Sequence, residues 1–418
     1  MHKVYFKQAI HLLKADKVIS IISILGTALA VTIVMTLIIV KDIKGANIAP
    51  EVNRDRSMYI KFAQETQKNR DVITRGPATY KQYQDFLAQL QVPEYITLIN
   101  SRSNQDIVPE GYIYNYKADA TYSDTNFWRL FSFSFIEGRP FNQEEFDSGV
   151  RVAVICESLA RKLFHTIQAI GKVFTISDIE YRVIGVVKDV SSVFKYAYAQ
   201  IWVPYTTRPN PESLSFVFVL LAKSKKEFTK IREEIREVEA RVNNQDERYE
   251  TSFMGPHGNR YDQFNVDLFD KEPSLNPAIR SHYILLIILL LIPAVNLSSI
   301  SLSKVMERTS EIGVRKAFGA KHSAILIQVL SENMICTIIG SVIGLMASIG
   351  VVSILKNWLF SSGRYQPLTE DFFIQINSFL SPTIFLSVFF ICLLLNILSA
   401  GIPAYRASRQ NITDAMKK

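Results

Sequence analysis

Cysteine is scarce: three residues in 418, at positions 156, 336 and 392. Cys336 and Cys392 fall in long apolar runs and Cys156 stands alone elsewhere, so no disulfide framework is available, and all three read as small buried hydrophobes. No C-x-x-C and no H-E-x-x-H occurs, and the six histidines (His2, His11, His165, His257, His282, His322) are scattered. His322 reads as a polar loop residue and "GPHGNR" (255–260) as turn chemistry. A phosphate-binding G-x-x-x-x-G-K-[S/T] loop is also missing; "GAKHSA" lacks its leading glycine and spacing. The chain therefore has no P-loop route to ATP hydrolysis. These absences leave no catalytic or metal-ligating constellation, and the expectation is a protein that is not itself an enzyme and holds no cofactor.

Long uncharged runs, in contrast, are abundant. Residues 18–40 carry no charge. At ~1.5 Å per residue they make a helix of roughly 34 Å, enough to cross a hydrocarbon core of about 30 Å. Further runs at 283–303, 333–355 (within a third span taken as 323–355) and 381–402 give four expected spans. The first is read as a retained anchor, because a signal h-region is only ~7–15 residues long and the flank offers no clean cleavage site. Segments 1–17, 304–322 and 403–418 together hold 13 Lys/Arg against 4 Asp/Glu, so within a total of +8 the rest of the chain is at −1. Positive flanks mark the cytoplasmic side. Both termini and the 304–322 loop are thus expected in the cytoplasm, with 41–280 and the short 356–380 loop outside. The basic balance reports topology and gives no reason to expect nucleic acid.

The 41–280 segment, about 240 residues, is large enough for its own core. "MYIKFA" (58–63), "ATYKQYQDFLAQL" (78–90) and "YITLIN" (95–100) read as one β-α-β unit, with Tyr80, Tyr83, Phe86, Leu87 and Leu90 on one helix face. "LSFVFVLLA" (214–222), "KKEFTKIREEIREVEARVN" (225–243) and "RYETSFM" (248–254) read as a second. Two such units suggest a split ferredoxin-like subdomain, here with a β-rich subdomain inserted at roughly 105–210. That insertion has strand-like stretches at 150–157, 172–176, 180–190 and 199–205, and a short helix at 158–164 with Ser158 as a cap. Glycines in "EGRPF" and "AIGKVF" mark turns. "KDIKGANIAPEVNRDR", after the first span, reads either as a linker or as a continuation of the helix that Pro50 limits. The expected fold class is an α+β membrane protein with spans arranged one plus three. Pro293 and Asn296 in the second span suggest a kink or an interhelical hydrogen bond.

Between the second and third spans lies "MERTSEIGVRKAFGAKHSAILIQVLSEN". Glu311 and Arg315 are spaced i,i+4 in the favourable order, Arg315 and Lys316 suit a helix C-terminus, and Gly319 sits where a left-handed cap belongs. By spacing alone this is either a basic cytoplasmic loop or a short helix that docks on a partner. Glu307, Arg308, Glu311, Ile312, Gly313, Lys316, Ala317, Gly319 and Ala320, with Glu332 downstream, match an E-R-x-x-E-I-G-x-x-K-A-x-G-A signature. The stretch resembles that of the FtsX/MacB-like permeases of ABC transporters. "PAYRASRQNITDAM" is similar to the family's C-terminal close, and "FWRLFSFSFIEGRPF" and "RVAVICESLARKLF…YRVIGVVKDV" are similar to its periplasmic core domain. The FtsX-like region is expected at 283–411. Phe318 and Asn411 depart from the usual Leu and Pro.

The resemblance implies a multi-pass subunit of the bacterial inner membrane with a periplasmic domain. It implies a dimer of permease copies or paralogues, seated on separate cytoplasmic ABC ATPase subunits that hold ATP and Mg. The loop, Arg315 included, would be the coupling helix, and nucleotide-driven motion would pass to the periplasmic domain by mechanotransmission. Membrane lipid and a periplasmic adaptor, outer-membrane or lipoprotein partner would be further contacts. Export or extraction of an envelope substrate is the leading expectation. The alternative is a regulatory membrane protein that switches a periplasmic hydrolase or sensor without transport.

Overall fold

The computed structural model describes residues 17–45, 47–70, 72–111, 114–191, 194–253 and 322–360, with a few isolated positions beyond them. The chain divides into two compact units. One comprises Met1–Ile43, Pro277–Leu359 and Ile374–Lys418; the other comprises Lys44–Asn276 and Phe360–Phe373.

Helix α1 (Lys17–Gly45) opens the described chain. The second unit then runs β1 (Ser57–Ile60), β2 (Phe62–Gln67), β3 (Val72–Pro77), α2 (Tyr80–Asp85), β4 (Tyr95–Pro109) and β5 (Tyr116–Ser123). It continues through α3 (Asn126–Leu130), β6 (Phe135–Gly138), α4 (Gln143–Asp147), β7 (Val152–Cys156), α5 (Glu157–Phe164), β8 (Val173–Ile176) and β9 (Ile179–Val187). It closes with β10 (Ile201–Pro204), β11 (Val217–Leu221), α6 (Phe228–Gln245) and β12 (Tyr249–Phe253). Helix α7 (His322–Phe360) belongs chiefly to the first unit.

A nine-stranded sheet in the order β1-β11-β4-β5-β10-β7-β9-β6, with β8 against β4 and β9, carries the core. Strands β12-β2-β3 form a second, smaller sheet. Two features differ from the sequence reading. "MYIKFA" is two strands: Ser57–Ile60 pairs with β11, and after Lys61 the chain pairs with β12 and β3. The expected insertion at 105–210 shares its sheet with β1, β11 and β4, because β4 is long enough to pair with β11 over its first half and with β5 and β8 further on. Strand β3 has no counterpart in the sequence reading: "VITRGP" lies mostly exposed and lacks the period-two apolar alternation that betrays a half-buried strand.

Local signals held in part: the helix expected at 78–90 is α2 over Tyr80–Asp85 followed by a 3-10 turn at Leu87–Gln89. Thr79 and Gln82 form a reciprocal capping box at the start of α2. Gly138 has φ +74°, and a Cβ there would lie 2.1 Å from the Ile184 carbonyl oxygen; only glycine fits that turn. Helix α5 is capped differently from expectation. Its N-cap is Cys156, without a side-chain bond, while the Ser158 hydroxyl and amide both donate to Asp189 Oδ1, at 2.7 and 3.1 Å. The cap group thus comes from the loop after β9. Cys156 itself is fully buried, and burial pushes its thiol up to about 12.

Behind the sheet the aromatic run "FWRLFSFSF" packs on Trp202, which is fully buried and donates its indole N–H to the Ala197 carbonyl at 3.1 Å. Asp124 leads into α3. Its carboxylate accepts from Thr97 Oγ1 (2.5 Å), Leu98 N (3.2 Å) and Phe127 N (3.1 Å). Burial outweighs these donors and raises Asp124 to about 6.

Among the described residues, two helices are long and apolar enough to cross a membrane, by length and composition: Ser20–Val40 within α1 and Met334–Leu355 within α7. They cover the expected first and third spans; the second and fourth lie outside the described residues, isolated positions apart. α1 and α7 pack through small residues. A Cβ on Gly340 would meet Thr27 Cβ at 2.8 Å and the Ile24 carbonyl oxygen at 2.9 Å. One on Gly344 would meet the Ala28 carbonyl oxygen at 2.6 Å and Val31 Cβ at 2.8 Å. The Thr32 hydroxyl donates to the Ala28 carbonyl (2.7 Å) and reaches the Gly344 carbonyl at 3.2 Å. Cys336, Ser348 and Val352 extend the same buried i,i+4 stripe. Helices in lipid gain little from hydrophobicity and associate by such close backbone approach.

Two outcomes follow for the purified full chain. Gly344→Ile overfills the contact and destabilises by about 1–3 kcal/mol, whereas Gly350→Ile, where nothing lies within 4 Å, leaves the melting midpoint unchanged; thermal scans of both variants read this. For Asp124 the folded-state pKa lies above the unfolded value, so its ionisation penalty is present above about 6 and is relieved as pH falls toward 4. Wild type therefore gains stability relative to Asp124→Asn between pH 7 and pH 4.5, by about 2 kcal/mol, measured as the difference in melting between the two proteins at each pH.

Candidate functional site

The motif at 304–322 is the site that the sequence singles out. Glu307, Arg308, Glu311, Ile312, Gly313, Arg315, Lys316, Ala317, Gly319 and Ala320 all lie outside the described residues. Phe318, within the same stretch, is a turn residue and is exposed. Among the described residues, the candidate that remains is the stretch where the chain leaves α1.

Helix α1 runs to Gly45, beyond the apolar run, and the chain is anchored in the second unit within a few residues. Ile48 and Glu51 form a bridge across a turn that contains the cis Ala49–Pro50 peptide. Asn47 Oδ1 accepts from the Asp55 amide at 3.1 Å, and the Asn53 side-chain amide donates to the Leu130 carbonyl at 2.9 Å. The Ser132 amide donates to the Pro50 carbonyl at 2.8 Å.

At the centre is a buried ion pair. Arg54 Nε lies 2.6 Å from Glu51 Oε2, with both side chains 1% exposed. Glu51 Oε1 accepts from the Tyr196 and Ala197 amides at 3.1 and 3.2 Å, and the Arg54 guanidinium stacks on Phe194 at 4.6 Å. One carboxylate thus joins the segment after the helix to the 194–197 turn, some 145 residues along the chain. Next to it, Tyr196 stacks on Tyr59 at 4.7 Å, and Lys61 and Lys195 both approach its ring. Burial, with Lys195 adding to it, lowers Lys61 to about 7.

The sequence reading left this stretch as linker or helix. "EVNR" holds an i,i+3 Glu–Arg pair that in sequence looks like any solvated pair, and nothing local marks it as buried. Removing one partner strands a charge in the interior. Glu51→Gln should therefore lower the stability of the second unit by about 3–5 kcal/mol. Glu94→Gln, whose Arg56 contact is partly exposed, should cost about 1 kcal/mol or less; hydrogen-exchange protection of β1 and β10 in the full chain checks the contrast.

A family model described as the MacB-like periplasmic core domain matches residues 20–238, and one described as the FtsX-like permease C-terminal matches residues 283–412. The macrolide export ATP-binding/permease protein MacB of Escherichia coli K12 is 23% identical over 416 residues, covering 97% of this chain and 59% of the relative. The MacB protein of Shigella flexneri has the same identity and coverage. The chain thus spans about three fifths of the length of the curated relatives it matches. Among solved structures, the periplasmic region of MacB from Actinobacillus actinomycetemcomitans is 15% identical with a TM-score of 0.34, covering 47% of this chain and 89% of that one. A putative permease domain from Porphyromonas gingivalis is 16% identical with a TM-score of 0.37, covering 49% and 91%. With the first model taking in more than half of the chain and the second most of the remainder, the chain belongs to the MacB/FtsX-like family of ABC transporter permeases.

Proposed function

We propose that this chain is the membrane subunit of an ABC transporter of the mechanotransmission type. It spans the inner membrane four times with both termini in the cytoplasm, and it works as a dimer. The observation that carries this reading is the E-R-x-x-E-I-G-x-x-K-A-x-G-A motif inside the region matched by the FtsX-like permease model. No P-loop lies within the 418 residues, and the ATPase that drives them is seated on the 304–322 loop, with Glu311 and Gly313 at the contact. The exposed Phe318 suits such a docking role. The periplasmic domain combines a split ferredoxin-like core with inserted β structure.

The junction supports the transmission half of the reading. Six residues after the last residue of α1 the chain reaches Glu51, which is fixed in the core of the second unit. A displacement of the helix end has little free chain in which to dissipate. An exported amphiphile of the class named for the relatives, a macrolide, is the first substrate to test.

Glu311→Lys and Gly313→Pro should leave the chain in the membrane but abolish co-purification of a P-loop ATPase in mild detergent, together with any stimulation of that ATPase. Normal capture and stimulation with both variants would refute the coupling assignment.

A further inference from the structure

Three arginines neighbour two buried tyrosines in the second unit, Arg208 by direct contact and Arg102 and Arg151 by strand register. Tyr122 on β5 is 1% exposed. It stands opposite Asn100 of β4, and Arg102, two residues on, shares that face of the sheet. The Arg208 guanidinium, from the turn after β10, lies 5.2 Å over the Tyr122 ring. Tyr181 on β9 is also 1% exposed, and its hydroxyl pairs with Thr207 Oγ1 at 2.8 Å. Arg151 precedes β7 at the point where β7 and β9 run in parallel register, its carbonyl accepting from the Arg182 amide at 3.0 Å. The two phenols interact electrostatically with each other, Tyr122 with Arg102 and Arg208, Tyr181 with Arg151 and Arg208.

The local charge is one-sided. None of the three arginines pairs with a carboxylate among the described residues. Polar capacity is also left over: the buried Tyr122 hydroxyl is engaged only by Arg208, Arg102 Nε donates to Asn100 Oδ1 at 3.2 Å, and Arg208 Nε is buried without a hydrogen-bond partner among the described residues. Buried donors in this state are uncommon in native structures and mark places where a partner belongs. Arg102 and Arg151 are exposed and Arg208 half-buried, so the cluster reaches solvent.

We propose that Arg102, Arg151 and Arg208, with the Tyr122 hydroxyl, form a binding site for a phosphoryl dianion. A single carboxylate is satisfied by one bidentate guanidinium; three forks and a neutral phenol donor suit the several acceptor oxygens of a phosphoryl group. Such a group is presented by free phosphate and by phosphate monoesters of the kind found in headgroups.

The test is calorimetric titration of the full chain in a phosphate-free maltoside micelle, at fixed ionic strength, with inorganic phosphate and, separately, with glycerol 3-phosphate. Saturable binding is expected. Arg208→Gln should weaken it about tenfold or more, as should the double variant Arg102→Gln/Arg151→Gln; the double variant alters only exposed side chains and keeps the fold intact. Tighter binding of the ester assigns the site to a headgroup-like ligand, and tighter binding of inorganic phosphate assigns it to the free ion; either supports the proposal. A response no different from that to chloride would overturn it. So would unchanged affinity in the folded double variant, or binding of an acidic peptide without any response to phosphate.

Discussion

Glu51 and Arg54 are held where water is excluded, and the start of the second unit is organised around keeping them paired. A desolvated carboxylate is tolerable only if its lone pairs are filled, and Glu51 fills them with one guanidinium and the amides of Tyr196 and Ala197. That requirement fixes the 194–197 turn against the segment leaving α1. Trp202 then bonds back to Ala197 and carries the aromatic cluster of "FWRLFSFSF" on its other side. A hydrophobic contact at the same place could slide; an ion pair with directional bonds to two amides cannot do so without stranding charge. This holds the start of the second unit in one arrangement.

The pairing of α1 and α7 rests on the opposite device, absence of side chain. Where Gly340 and Gly344 lie, a methyl group would already collide with the backbone of α1. The close approach brings Thr32 within reach of the Gly344 carbonyl, so a backbone group of one helix gains a side-chain donor from the other. In an apolar solvent, contacts of this kind substitute for the hydrophobic drive that assembles the second unit. The chain therefore uses two assembly principles, matched to two solvents.

Polar groups inside the second unit are handled unevenly. Asp124 is buried but has three donors, and Asp189 caps α5 from another loop. The arginines around Tyr122 and Tyr181 differ because nothing described on the protein balances them. Structural needs explain the first two, and a ligand of opposite charge explains the third.

Much of the architecture was legible in the amino-acid order. Apolar runs long enough to span and most strands depend on composition over ten to twenty neighbouring residues, and such features survive reading along one dimension. The motif residues between 307 and 320 were legible as a family signature and lie outside the described residues. Other features depend on which distant segments meet. The break of 58–63 at Lys61 follows from two different partner strands, β11 and β12. The union of the 105–210 segment with its neighbours follows from the reach of β4. Glu51 looks like a surface charge until the 194–197 turn covers it, and Gly340 and Gly344 look like ordinary span residues until Thr27, Ala28 and Val31 lie against them. Burial is a property of non-local packing, so the chain order alone determined which stretches are long and apolar enough to span, and tertiary structure decided which of its charges and glycines are held in contact.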